Sequence, residues 1–402
     1  MPALTPAEGA EVKAVARNGL LISPSVRQAA SVISASADQV RVQRAALFPS
    51  LSLSGGAGVG TEGNRNPSVE LTGTQMLFDG GRTKRAIQLA DFDLQINYIA
   101  FQKAVDDALL EVLQAYDNVQ LQSELLAVYE KQLKALTQLD GLVADRVKNG
   151  AATSSDRLET RKRVQSAAFL VNDTQLALAE ARDRLTLLTG QPNGGRVQLA
   201  TTSCAAFGET DDLRMARLEQ ARAQLALQKA ESEKNPRIAL KPVIGGELGV
   251  NKLPLGVNLD VQSDVLQGGA LTAKANAARN QLAAADAKLA AVLLEDGLAE
   301  NALLRSLSTA DKKMAMLQRQ ISLLEETRKL YRSQYFDMGK RQISELLDNE
   351  EEYYSRQAEM AQVRSDLSQS KARCAVRSRV LRQEMGVSGN SIYGFPLSTD
   401  LI

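Results

Sequence analysis

The sequence has 402 residues, of which 44% are hydrophobic, 24% charged and only 4% aromatic, and its formal net charge is +1. Near-neutral charge gives no basic footprint for nucleic acid. Histidine is absent, which removes the commonest general base and metal ligand. No nucleophile motif or metal-ligand cluster stands in the sequence, so we predict neither an enzyme nor a cofactor. Abundant Ala, Leu, Gln, Arg and Glu favour long helices packed as coiled coil.

The N-terminus, Met1-Pro2-Ala3-Leu4-Thr5-Pro6, lacks the basic and apolar regions of a signal peptide. No run approaches the roughly 20 apolar residues of a membrane-spanning helix. Taken alone, these features predict a cytosolic protein. The alternative is a precursor from which the leader has been trimmed.

Two helices are predicted before the first strand. A weak helical pattern over 11–18 ends at Gly19. Ser23 is an N-cap candidate with Pro24 at the first helical position, so a second helix starts there. Pro49 ends it.

A β-hairpin is predicted over 50–78. Apolar and polar residues alternate over 50–60 and again over 68–78, and glycine-rich polar residues at 61–67 make the turn. Each strand therefore has one apolar and one polar face.

A Gly-Gly turn and a very long helix follow the hairpin. Gly80-Gly81 suits a sharp change from strand to helix, and neither Walker nor Rossmann spacing surrounds it, which disfavours a phosphate loop. The helix over 82–148 has no proline and would be a rod of roughly 100 Å. Gly150 ends it, and a return helix runs over 153–188. A helix this long needs neighbours along its whole length.

The second half repeats this plan about 190 residues later, which is an internal duplication. Its predicted elements are, in order, a helix over 213–233, a β-hairpin over 237–266, the pair Gly268-Gly269, a long helix over 270–337, a turn at Gly339 and a return helix over 343–385. We divide the chain into a first structural repeat (12–200), an equatorial connector (201–211), a second structural repeat (212–386) and a C-terminal tail (387–402).

The two cysteines, Cys204 and Cys374, are far apart and match no metal spacing. A disulfide between them fits an oxidising compartment. Two free thiols fit the sequence nearly as well.

Two isolated hairpins pose a physical problem. A two-stranded hairpin with an apolar face is not stable alone in water. Several chains that pooled their hairpins into a closed barrel, with the apolar faces toward lipid, would remove both the open edges and the bare apolar face. Strands near ten residues fit such a membrane barrel, although the expected aromatic girdles are hardly visible. The alternative is a soluble helical rod that carries two β-hairpins.

With these features in hand, the chain resembles the TolC family of outer-membrane efflux and type I secretion channel proteins over about residues 12–386. Four stretches carry the resemblance: Ala46–Leu51 before the first strand, Leu77–Arg82 after the hairpin, and the two helix tips, Arg146–Gly150 and Met338–Asp348. The resemblance implies a mainly α protein with a small β part. Its long helices would form a coiled-coil barrel, and its hairpins a twelve-stranded transmembrane β-barrel on trimerisation.

The resemblance also implies a function. The homotrimer would be the passive exit duct of a tripartite export system in the outer membrane of a Gram-negative bacterium, with its helical part in the periplasm. Its partners would be a periplasmic adaptor and an inner-membrane ABC transporter or proton-driven pump. The second tip favours type I protein secretion slightly over multidrug efflux. The alternative is a soluble periplasmic helical-hairpin adaptor or structural protein.

The tips would carry the functional residues. The resemblance places Glu345 and Asp348 at a pore constriction that sets cation selectivity. Converging carboxylates from three chains would raise their pKa values and offer oxygen ligands to divalent cations. The alternative is a solvated acidic helix face.

The resemblance assigns further roles by position. Gating contacts would come from Arg341, Asp156, Ser155 and Tyr335, although a gating tyrosine of some relatives falls here on Phe336. The adaptor would contact the tip turns, at Asn149, Gly150, Met338 and Gly339. Gly80, Gly81, Gly268 and Gly269 would join the barrel to the tunnel.

Overall fold

The computed structural model describes residues 6–60, 63–196, 199, 208–247, 254–263 and 268–397. The helices in this part of the chain are α1 (Pro6–Ile22), α2 (Pro24–Ala45), α3 (Arg82–Lys148), α4 (Ser154–Thr189), α5 (Asp211–Ser232), α6 (Ala270–Phe336), α7 (Ile343–Arg377) and α8 (Leu381–Glu384). The strands are β1 (Ser50–Gly60), β2 (Gly63–Phe78), β3 (Arg237–Glu247), β4 (Leu255–Gln262), β5 (Ser391–Ile392) and β6 (Phe395–Pro396). The predicted fold class, mainly α with a small β part, is confirmed.

The chain divides into two compact units. The first comprises residues 1–26, 104–210 and 297–401, and the second comprises 27–103 and 211–296 with residue 402. Each unit takes segments from both predicted repeats, and α3 and α6 contribute to both units. The division into two repeats with a connector and a tail stays a prediction.

The second unit contains a four-stranded antiparallel sheet in the order β1-β2-β3-β4. The two predicted hairpins thus pair side by side through β2 and β3. One row of apolar residues crosses all four strands, where Leu53 pairs with Leu71, Leu71 with Ile244, and Ile244 with Leu255. Within this sheet, β1 and β4 pair on one side only.

The two faces of the sheet differ in chemistry, as the alternation predicts. The apolar face is bare, since Leu51 and Leu255 are 75% and 71% exposed and the other apolar residues of β4 are also exposed. The opposite face carries serine, threonine, asparagine and charged residues, including the ion pair between Lys241 Nζ and Asp260 Oδ2 at 2.9 Å. An apolar face of this extent calls for an apolar environment or a partner.

The turn from β2 into α3 is held by its own side chains. Asp79 accepts hydrogen bonds from the backbone N–H groups of Gly81 at 2.8 Å and of Thr83 at 2.6 Å, which caps the helix. Arg82 donates to the carbonyl of Ser232 at the end of α5 and to those of Glu233 and Asn235 just after it. The turn is thereby fixed against the chain that enters β3.

Glycine is required at this turn for two reasons. Gly80 and Gly81 have φ values of +66° and +81°, a region that residues with a Cβ rarely occupy. A Cβ on Gly80 would also lie 2.8 Å from the Cβ of Asn235. The second junction repeats the backbone, with φ of +53° at Gly268 and +85° at Gly269, but a Cβ there would meet nothing within 4 Å.

The boundaries of α1 and β2 differ from the sequence prediction. Helix α1 continues through Gly19, where a Cβ would lie 2.5 Å from Val112 Cγ2. The glycine therefore serves the close approach of α1 to α3 and does not end the helix. Strand β2 begins at Gly63, so Pro67 lies within the strand and not in the turn. Within the predicted hairpin over 237–266, residues 248–253 and 264–267 lie outside the described residues.

The predicted return helix 343–385 is broken. Helix α7 ends at Arg377, Arg379 has φ of +61°, and α8 starts at Leu381. The side chain of Arg382 is fully buried, with its Nε 3.1 Å from Asp106 Oδ1. A buried arginine needs such a partner, and the break brings Arg382 to it.

Residues 387–397 of the C-terminal tail make defined contacts within the first unit. Strands β5 and β6 form a short hairpin, and Tyr393 Oη donates to the carbonyl of Leu21 at 3.0 Å. Arg17 Nη2 donates to the carbonyl of Gly386 at 2.8 Å. The tail therefore docks on α1 within the first unit.

A buried carboxyl lies between α3 and α7. Asp117 is 2% exposed and accepts a hydrogen bond from the hydroxyl of Ser365, which is 1% exposed. Burial raises the pKa of Asp117, while hydrogen bonds from Ser365 and Ser368 and the charge of Arg196 oppose the rise. The hydrogen bond from Ser365 to Asp117 links the two helices. Burial makes the charged form of this carboxyl less favourable than its neutral form.

We expect Gly80→Ala to destabilise the second unit more than Gly268→Ala. Both variants meet the penalty of a positive φ, about 1–2 kcal/mol, but only the first collides with Asn235. The difference should be about 1–3 kcal/mol, the usual cost of overpacking. Denaturant unfolding of the two purified variants measures it, and equal losses would contradict the steric argument.

The Asp117 carboxyl predicts a pH dependence. Because its folded pKa lies above the unfolded value of 3.8, the native state binds more protons between the two values, and the protein gains stability as the pH falls through that window. Asp117→Asn lacks this gain. Its melting temperature relative to wild type should therefore be higher at pH 7 than at pH 4, and a constant difference would contradict the assignment.

Candidate functional site at the helix tips

An apolar cluster in the first unit positions the two tips, which are the turn between α3 and α4 (149–153, the first tip) and the turn between α6 and α7 (337–342, the second tip). The cluster contains Leu136, Leu139 and Val143 of α3, Ala167 of α4, Tyr335 of α6, and Ile343, Leu346 and Leu347 of α7. All four helices that lead into or out of a tip contribute to it. The tips are therefore held by one shared core.

The first tip is a tight turn followed by a capping box. Gly150 has φ of +72°, and Thr153 Oγ1 accepts from the backbone N–H of Asp156 at 3.1 Å. Asp156 Oδ2 accepts in return from the N–H of Thr153 at 2.9 Å. The side chain predicted to gate the tip thus caps its own helix, while Ser155 is exposed.

The second tip is organised by Arg341. Its Nε donates to Gln334 Oε1 at 2.9 Å, its Nη1 donates to Glu345 Oε2 at 2.9 Å, and its guanidinium lies 4.2 Å from the centroid of the Tyr331 ring. The hydrogen bond and charge of Glu345 raise the pKa of Arg341. In this structure each of these three contacts stays within the second tip and its flanking helices.

Arg146 joins the two tips, a role that sequence reasoning did not assign. Its Nη1 donates to the carbonyl of Phe336 at 2.9 Å, and its Nη2 donates to that of Ala151 at 3.2 Å. The guanidinium also lies 5.0 Å from the centroid of the Tyr335 ring. The one available signal was an arginine in the last turn of α3, where a cation suits the helix C-terminus.

A cleft of about 700 Å³ lies between the tips. Its lining includes four predicted gating residues and two predicted tip glycines, namely Ser155, Asp156, Tyr335, Arg341, Gly150 and Gly339. The structure therefore brings these residues together. The sequence pattern alone placed them in two separate turns.

The aromatic pair at the end of α6 is packed inward. Tyr335 is 5% exposed and meets Phe336 edge to face at a centroid distance of 4.8 Å. Burial and the charge of Asp156 raise the pKa of Tyr335, and Arg146 opposes the rise. No hydrogen bond joins the Tyr335 hydroxyl to Asp156 among the described groups. In this structure Tyr335 serves the core, and its gating role stays a prediction.

Both predicted constriction acids are paired with arginines. Glu345 pairs with Arg341 one turn earlier, and Asp348 Oδ1 lies 2.7 Å from Arg163 Nη2 on α4. Glu345 and Asp348 retain side-chain exposures of 44% and 64%. They form neither a buried cluster nor a free acidic patch within one chain.

Three further predictions concern residues outside this pairing. Asn149 and Met338 are exposed at the two turns, and their contact with an adaptor stays a prediction. Cys374 is disulfide-bonded, whereas Cys204 lies outside the described residues. Within the described part of the chain, no group of three or more acidic, histidine or cysteine side chains is arranged to hold a metal ion.

Comparisons with known proteins show what this chain is similar to. Residues 16–191 match the model of the family described as outer membrane efflux protein. CyaE of Bordetella pertussis is 26% identical over 175 residues, which are 42% of this chain and 37% of CyaE. The match thus spans under two fifths of that relative.

Solved structures match over nearly the whole chain. The outer membrane protein VceC from Vibrio cholerae gives a TM-score of 0.83 at 16% identity, covering 94% of this chain and 96% of that one. The CmeC outer membrane channel of Campylobacter jejuni gives 0.78 at 13% identity, covering 98% and 87%. At such identities the likeness establishes the fold.

The fold is that of outer-membrane channel structures such as VceC and CmeC, and residues 16–191 match the outer membrane efflux protein family, so the predicted resemblance to such channels is confirmed. None of the described helices is both long and apolar enough to cross a membrane.

We expect Arg146→Gln to loosen both tips. It removes two hydrogen bonds from a charged donor, each worth about 1.5–3 kcal/mol when well formed. Backbone amides over 149–153 and 337–342 should exchange with deuterium about tenfold faster or more. Arg146→Lys should lie between the variant and wild type, because it keeps the charge but loses the planar fork.

Lys148→Gln is the matched control for this experiment. Lys148 lies one half-turn away and pairs with Asp145 at 3.4 Å, with both side chains at least 70% exposed. Such a pair contributes little, so its loss should leave exchange unchanged. Equal effects of the two substitutions would contradict a bridging role for Arg146.

Proposed function

We propose that three copies of this chain form an outer-membrane channel-tunnel, the passive exit duct of a tripartite export system. The observation that carries the proposal is the four-stranded sheet, which has two open edges and one bare apolar face. Three such sheets joined edge to edge would give a closed barrel of twelve strands. Closure satisfies the backbone of β1 and β4, and the apolar face then meets lipid.

The sheet also supports this function over that of a soluble adaptor or structural protein. In water, a face on which Leu51 and Leu255 are more than two-thirds exposed would promote aggregation. Placed against hydrocarbon, the same face is favourable, and the polar face would line an aqueous lumen. Export would draw its energy from an inner-membrane ABC transporter or proton-driven pump, reached through a periplasmic adaptor at the exposed tip turns.

We further propose that the helix tips form the narrow entrance of this duct. Glu345 and Asp348 retain exposed carboxylates near one end of α7, and a threefold arrangement would bring three copies of each together. Arg341 would help to hold the entrance closed. Type I protein secretion remains slightly favoured over multidrug efflux because of the likeness of the second tip to the secretion branch.

The test is reconstitution of the purified protein in a planar bilayer. Wild type should form cation-preferring pores, because acidic rings attract cations. Replacing both acids, as Glu345→Gln with Asp348→Asn, should abolish the preference. Arg341→Ala should raise the conductance, since it removes three contacts that fix the second tip.

Glu352→Gln is the control. Glu352 lies on α7 beyond the proposed entrance and pairs with Arg356 within its own helix, so its loss should leave selectivity unchanged. Unchanged selectivity in the double variant would refute the role of the two acids. A wild-type protein that forms no pores would refute the channel itself.

A further inference from the structure

One arginine of α4 holds an acidic surface of α7. Arg163 Nη2 lies 2.7 Å from Asp348 Oδ1, and its Nη1 contacts Glu351. Its Nε lies 3.3 Å from Glu159 Oε1 on its own helix. The arginine side chain is only 25% exposed, whereas Asp348 and Glu351 are 64% and 52% exposed.

The geometry suits arginine in particular. Asp348 and Glu351 are three residues apart and so lie on the same side of α7. A planar guanidinium presents its two terminal nitrogens to both carboxylates at once, which an ammonium group does not. Val164, the next residue of α4, packs against the apolar cluster at the tips. The backbone beside Arg163 is therefore anchored.

The charges around Arg163 do not balance. Three carboxylates, those of Glu159, Asp348 and Glu351, surround one guanidinium. The cluster keeps an excess of negative charge even with the arginine in place. Loss of the arginine would leave Asp348 and Glu351 uncompensated, while Glu159 would keep only Lys162, whose Nζ lies 4.0 Å from its Oε2. The repulsion among the acids would act between α4 and α7.

The two constriction acids differ in what holds them. Arg341 and Glu345 both belong to the second tip and the start of α7, so this pair moves with α7. Asp348 is paired across to α4, so its pair breaks when α7 leaves α4. The charge that Asp348 presents therefore depends on the separation of the two helices.

We propose that Arg163 is a positioning residue of the entrance, which holds α7 against α4 and masks the charge of Asp348 until the two helices separate. The inference rests on the proposed channel function. Opening and charge selection would then be coupled, because the movement that widens the entrance also exposes three further carboxylates in the trimer. The cargo favoured by such an entrance carries positive charge on the part that enters first.

The experiment compares Arg163→Gln with Arg161→Gln in the full-length protein. Arg161 is exposed on the same helix, and no ion pair involves it in the described structure, so its loss removes the same charge without breaking the bridge. In planar bilayers, Arg163→Gln should raise the cation-to-anion permeability ratio about two- to fivefold. This factor corresponds to about 0.4–1 kcal/mol, the range for partly exposed ion pairs. Arg161→Gln should stay at the wild-type ratio.

A second substitution separates masking from a general change of charge. Adding Asp348→Asn to Arg163→Gln should return the ratio toward wild type, because the unmasked acid is gone. Arg163→Lys should give an intermediate ratio. If Arg163→Gln matches Arg161→Gln, or if Asp348→Asn restores nothing, the masking role is wrong.

Hydrogen exchange tests the positioning role of Arg163 in a way that does not depend on pore formation. Arg163→Gln should speed exchange over 343–352 of α7, while Arg161→Gln should not. Protection unchanged in both variants would refute positioning, even if the wild-type protein conducts. Pores absent from wild type would refute the channel and with it the masking role, while faster exchange would still support the α4–α7 bridge.

Discussion

The structure depends on a sheet that is incomplete within one chain. Its two hairpins pair with each other through β2 and β3, yet among the described residues β1 and β4 pair on one side only and nothing covers the apolar face. Unpaired strand edges and exposed leucines are both unfavourable in water, and a single closure with neighbouring chains in lipid removes both. The long helices also require partners, because helices of 67 residues need neighbours along their length.

The two turns that lead from a strand into a long helix differ in their surroundings, and this difference supports the same reasoning. In the first copy, Arg82 binds carbonyls at and just after the end of α5, and Gly80 fits closely against Asn235. In the second copy, alanine stands at the position of Arg82, and a Cβ on Gly268 or Gly269 would meet none of the described residues within 4 Å. The first junction lies within the sheet of one chain, whereas the second lies at its β4 edge. Open space at this junction is what we expect if the β4 edge pairs with a neighbouring copy of the chain.

Much of the fold was predictable because local signals were strong. Strict alternation, the Gly-Gly pairs and the absence of proline over 82–148 gave the strands, the turns and the first long helix with its observed ends. The prediction that the first helix ends at Gly19 was wrong, because this glycine allows α1 to pack closely against Val112 of α3. Such a contact depends on a residue far away in the sequence. At the tips, the sequence located the right turns but not the partners of their side chains. Arg146 and Arg163 act across helix pairs, and no local pattern encodes such contacts.

The central claim is that β4 of one chain pairs with β1 of the next in a ring of three. A direct test places one cysteine in β1 and one in β4, as Ser52→Cys with Asn258→Cys on the polar face, and joins them with a short thiol cross-linker in detergent. The account predicts a covalent species of three chains, with each single variant remaining uncross-linked. A product of one chain only, or an open series of two, three and more chains, would contradict it.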